Sequence, residues 1–82
     1  MIITESILND GSTAIFYNKI PVLFYNSMYK KIYVNRDLYS KFRILVENNL
    51  DQCYDYDIEL RHNQEMIDCV YLINTYDYSN NS

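Results

Sequence analysis

The chain contains one glycine, one proline, one histidine, two cysteines and no tryptophan. Each scarcity closes a route to function. A lone Gly11 cannot build a phosphate-cradling loop, which needs several positions with backbone freedom or close approach. One histidine, His62, and two well-separated cysteines, Cys53 and Cys69, offer no zinc-ligand spacing. The same two cysteines are too few for a secreted disulfide scaffold, so free thiols in a reducing compartment are expected.

Long apolar runs are missing as well. No stretch reaches the roughly 18 apolar residues that a membrane span needs. The segment Met1-Ile2-Ile3-Thr4-Glu5 lacks the basic region and apolar run of a signal peptide. The expected location is the cytoplasm of the producing or infected cell. Ala, Gly and Pro are scarce while Asn, Tyr, Ile, Asp and Lys abound; that bias accompanies an AT-rich coding sequence and points to a low-GC bacterium, its phages or another AT-rich virus.

What the chain does have is apolar and aromatic mass. Hydrophobic residues make up 49% of 82 positions and ten are tyrosine, enough for one folded domain over 1–78 with a disordered polar tail at 79–82. Net charge is −4, and it is unevenly placed. Residues 1–50 hold six basic against four acidic side chains, whereas 51–82 hold seven acidic side chains against Arg61. An acidic end repels phosphate backbones and suits a protein partner with a basic surface.

The order of elements follows from pattern. Ile2–Leu8 and Thr13–Ile20 flank Asn9-Asp10-Gly11-Ser12, which predicts a hairpin because Gly11 can supply a positive φ. Pro21 ends or bends the second strand, and Val22–Tyr25 and Met28–Val34 read as two more strands. Because proline donates no backbone hydrogen bond, Val22–Tyr25 is expected at an edge or with a kink. A helix is predicted from about Arg36 to Asn49, with Asn35 as N-cap, an apolar stripe of Leu38, Phe42, Leu45 and Val46, and an Arg43–Glu47 pair on its outer side.

Tyr54–Arg61 alternates apolar and charged residues without a break, the signature of a half-buried strand. Met66–Ile73 reads as its antiparallel partner, which sets Leu60 opposite Ile67, Ile58 opposite Cys69, Tyr56 opposite Tyr71 and Tyr54 opposite Ile73. The expected fold is therefore α+β: a mostly antiparallel sheet of five to six strands with one helix packed on it, in the order β-β-β-β-α-β-β. Cys53 and Cys69 would then point to opposite faces.

No catalytic constellation stands out, and neither a cofactor nor a metal is expected. His62 lies in a predicted turn, and Cys69 reads as a small core residue, since a reactive thiol wants a cation or a helix N-terminus beside it. The one cluster with chemistry is acidic. Asp55, Asp57, Glu59 and Asp68 would share the outer face of the last hairpin, with Tyr76 and Tyr78 beside them. Solvation alone explains such a face; metal binding and acid/base work are alternatives, and recognition through carboxylates and tyrosines is a third.

These features point to a small non-catalytic binding protein, of the phage or mobile-element inhibitor type that an anti-CRISPR protein exemplifies. Its acidic, Tyr-bearing hairpin would dock on a basic, nucleic-acid-binding protein surface. A homo-oligomer, such as a homodimer, paired through the sheet is one alternative. Tyrosine stacking on single-stranded nucleic acid is another, opposed by the acidic surroundings.

Overall fold

In the computed structural model, which describes residues 2–76, the chain folds as β1 (Ile3–Ile7), β2 (Thr13–Tyr17), β3 (Ile20–Asn26), β4 (Lys31–Asn35), α1 (Arg43–Gln52), β5 (Asp57–Arg61) and α2 (Asn63–Thr75). The fold is α+β. Its sheet runs in sequence order from β1 to β5, antiparallel throughout except that β5 lies parallel to β4. A parallel neighbour needs a crossover connection, and α1 supplies it.

Turn chemistry sets the antiparallel register. Leu8 and Ser12 close the first loop: Leu8 N–H donates to the Ser12 carbonyl at 2.7 Å and Gly11 N–H to the Leu8 carbonyl at 2.9 Å. Gly11 takes φ of 87° there, which the closure requires of it. The next turn falls at Asn18-Lys19, earlier than expected. Both residues adopt positive φ, 49° and 72°, a primed two-residue turn built without glycine. Pro21 therefore belongs to β3, the central strand and not an edge. The β2–β3 register slips between Ile15 and Phe16, whose partners are Leu23 and Pro21, so Val22 is the extra residue of a bulge. The expected kink is present, and it accommodates the proline.

Each face of the sheet carries a helix. On one face Ile15, Val22, Leu23, Ile32 and Val34 pack with Phe42, Val46 and Cys53 from α1 and its flanks. On the other, Leu8, Ala14 and Phe24 pack with Met66 and Val70 of α2, with Phe16, Tyr33, Cys69 and Ile73 around them. The two cysteines thus lie on opposite faces, both as free thiols. Burial raises the Cys53 thiol pKa above its ordinary value, and nearby Asp55 adds to the shift.

The first helix differs from expectation in length. Asn35 is not the cap of α1, whose N-cap is Phe42 without a side-chain hydrogen bond. Asn35 accepts from the amides of Asp37 at 2.9 Å and Leu38 at 3.2 Å, but these bonds open successive turns over 36–42 and the α-helix begins only at Arg43. The stripe of Leu38, Phe42, Leu45 and Val46 still packs on its face, and Arg43 and Glu47 pair at 3.1 Å.

The last hairpin does not form. Residues 63–75 are helix α2 rather than a strand, so the expected pairs from Leu60–Ile67 to Tyr54–Ile73 are absent and β5 pairs with β4 instead. Met66, Val70 and Ile73 recur at i, i+4 and i+7 and give the segment a helical inner stripe. No turn residue separates β5 from the segment, and Leu60 to Asn63 leads directly into helix. The face this hairpin was expected to leave open is covered by α2. The tail at 79–82 lies outside the described residues. Among the described residues no helix is long and apolar enough to cross a membrane.

Candidate functional site

Helix α2 is held at both ends by asparagine. At its N-terminus His62 provides no side-chain cap. Asp37 supplies one from a distance, accepting from the Asn63 amide at 2.7 Å. Asn35, completely buried, donates to the Asn63 side-chain oxygen at 2.8 Å and to the Pro21 carbonyl at 3.0 Å. One side chain thus joins β3, β4, the turn after β4 and α2. At the C-terminus Asn9 donates to the carbonyls of Asn74, at 2.7 Å, and of Tyr76, at 3.2 Å, while its own amide donates to the Asn74 side chain at 3.2 Å. These bonds satisfy groups that a helix end otherwise leaves orphaned, and they fix which side of α2 faces which strand.

That orientation gathers carboxylates. Asp57 and Glu59 pair with Lys31 and Tyr33 in the parallel register and so share their face, the one α2 covers. Glu65 and Asp68 stand on α2 itself, and Arg61 links the two elements: its guanidinium meets Glu59 at 3.3 Å and Glu65 at 3.9 Å and lies 5.6 Å from the centre of the Tyr33 ring. Asp68 accepts from Gln64 at 3.0 Å, one turn back. Two carboxylates, Glu59 from β5 and Glu65 from α2, therefore share one arginine, with Asp57 further along the same strand face and Asp68 one turn on along the helix. Exposed Tyr71 and Leu72 continue the helix surface beyond them.

A groove of about 450 Å³ opens beside this acidic strip, between α2 and the β3–β4 hairpin. Its floor is the stacked pair Phe24–Tyr33, ring centroids 4.7 Å apart, and its walls include Cys69, Leu72, Ile73 and Tyr29. Lys31 also lines it, and its ammonium makes no hydrogen bond or ion pair among the described residues. Tyr29 and Leu72, which line it, stand 66% and 65% exposed. Apolar side chains left in water around a concave aromatic floor are the anatomy of a docking pocket rather than of a core.

The residues expected to form one acidic hairpin face are redistributed. Asp57, Glu59 and Asp68 share the α2 side of the sheet, although on a strand and a helix. Asp55 does not join them: it sits in the loop before β5 and pairs with Lys30 at 2.6 Å. The Lys30 hydrogen bond holds the Asp55 carboxyl below its ordinary pKa against its own desolvation, and Asp55 in turn raises Lys30. Tyr76 caps the C-terminus of α2, its amide donating to the Leu72 carbonyl at 3.2 Å. Tyr78 lies outside the described residues. Glu65 and the groove were not anticipated; the i, i+3, i+7 spacing of Glu65, Asp68 and Leu72 was the available signal, legible only once the segment is read as a helix.

His62 is exposed, with the Arg36 guanidinium 3.3 Å from one ring nitrogen. Among the described residues no three His, Cys, Asp or Glu side chains converge to hold a metal ion. Set against family models, curated proteins and solved structures, the chain matches none of them.

Proposed function

We propose that the chain is a small non-catalytic binding protein that lays the α2–β5 face on a basic, nucleic-acid-holding surface of another protein and blocks it. An inhibitor carried by a phage or mobile element against a host defence protein, such as a CRISPR effector, is the role this describes, and the cytoplasm is where it would act. The observation that supports the reading most is that Asp57 and Glu59 of β5 and Glu65 and Asp68 of α2 lie on the same side of the sheet, with Glu59 and Glu65 sharing Arg61, next to an apolar groove with exposed rims. Complementary charge steers encounter and fixes register, while the buried apolar anchor supplies affinity.

The test is affinity capture from host extract with the native chain and with Glu65→Lys/Asp68→Lys, two exposed positions whose reversal leaves the core intact. The native chain is expected to retain a basic protein that duplex DNA displaces, and the variant to retain it at least about tenfold less. Equal retention by the variant, or indifference to DNA, contradicts the proposal.

A further inference from the structure

Among the described residues strand β5 is bonded on one side only, and the chemistry of its other side is self-complementary. The Asp57 amide donates to the Lys30 carbonyl and the Arg61 carbonyl accepts from the Arg36 amide, so residues 57, 59 and 61 direct their backbone groups at β4. Along a strand these directions alternate. Ile58 and Leu60 therefore turn both N–H and C=O outward at the sheet edge, and their side chains are 54% and 52% exposed.

We infer that the β5 edge binds a second copy of this chain, antiparallel, about a two-fold axis at Glu59. This goes beyond the partner reading above and does not depend on it. In that register Ile58 lies opposite Leu60 of the second copy, and every outward amide meets a carbonyl. Asp57 lies opposite Arg61 at both ends, two charge pairs across the junction, while the four aliphatic side chains form one strip on the α1 face. A neighbouring hollow lined by Val34, Tyr39, Leu50, Ile58 and Leu60 continues that apolar strip. The axis sets Glu59 against its own copy, one like-charge pair between the two opposite-charge ones. Shifting it to Ile58 would set Asp57 against Glu59 at both ends, two like-charge pairs with no opposite-charge pair within the strand to offset them. The other edge, β1, has Glu5 as its single charge and no cation to answer it. The contact is narrow, and the dimer is accordingly weak and concentration-dependent.

Charge exchange tests the pairing. Asp57→Lys and Arg61→Glu are each expected to sediment as monomers at concentrations where the native chain dimerises, and an equimolar mixture of the two to recover the dimer, because each then supplies the charge the other needs. Glu59→Cys, which removes one carboxylate partner of Arg61 but keeps Glu65 and the Asp57–Arg61 pairs across the junction, is expected to form a disulfide with its own copy under mild oxidation, since a residue on the axis faces itself. Ile7→Lys on β1 leaves association unchanged. A native chain that stays monomeric at high micromolar concentration overturns the inference. So does a dimer that Ile7→Lys abolishes, or one whose Glu59→Cys form does not cross-link.

Discussion

The two helices cover the two faces of one sheet by different means. Helix α1 has no side-chain cap, a first turn without acidic residues and one fully buried side chain, Val46; it adheres through apolar contact around Phe42, Val46 and Cys53. Helix α2 buries Met66 and Val70 and is also fastened by Asn35 and Asp37 at one end and Asn9 at the other. Apolar contact tolerates rotation and sliding, whereas hydrogen bonds of defined geometry do not. The face that carries the acidic strip is the one secured by polar bonds. The other face serves as cover.

Breaking that difference should have graded effects. Met66→Ala, at a completely buried position, is expected to cost roughly 3 kcal/mol in denaturant unfolding, because a cavity opens under α2. Asn35→Ala strands the Pro21 carbonyl and leaves the amide of Asp37 without its acceptor; a loss of roughly 2 kcal/mol is expected, with Asn35→Asp failing to restore stability because a carboxylate cannot donate to Pro21 or Asn63. Asn9→Ala frees the last turn of α2 at a cost of about 1 kcal/mol, read as faster amide exchange near Leu72. The Lys30–Asp55 pair is exposed and has the smallest effect. With Asp55 lowered, its contribution is present above the ordinary carboxylate pKa and fades as pH falls through the folded value. With Lys30 raised, it is present below 10.5 and fades as pH rises past that value toward the folded one. Asp55→Asn should remove the acid-side fading from a pH titration of stability. A further contrast separates the thiols: Cys53, buried with a raised pKa, should resist alkylation until the α1 face opens.

Local chemistry made part of this legible. Gly11 announced the first hairpin, Asn35 announced the turn that follows β4, and the strict alternation of Tyr54–Arg61 announced a strand, of which Asp57–Arg61 forms while 54–56 stay in a turn. Its aliphatic side, expected to be packed, stands exposed at Ile58 and Leu60. Two features escaped. Asn18-Lys19 makes a primed turn without glycine, so nothing in that dipeptide competes with the proline three residues on. In Met66–Ile73 apolar residues occupy nearly every position, which satisfies a strand period and a helix period alike. The choice was made at a distance: Asn35, Asp37 and Asn9 receive the ends of a helix of the length of α2, and β4 receives β5 in parallel. Contacts across so many residues leave no mark in the segment's own sequence, and the acidic face, assembled from β5 and α2, was out of reach with them.

Amide hydrogen exchange over residues 63–75, native against Asn35→Ala, tests most directly whether α2 is a polar-clamped platform. Slow exchange of Met66 to Ile73 as a block in the native chain is predicted, with that block released by Asn35→Ala while β2 and β3 stay protected. Alternating protection along the segment, or simultaneous opening of the sheet and α2, would contradict it.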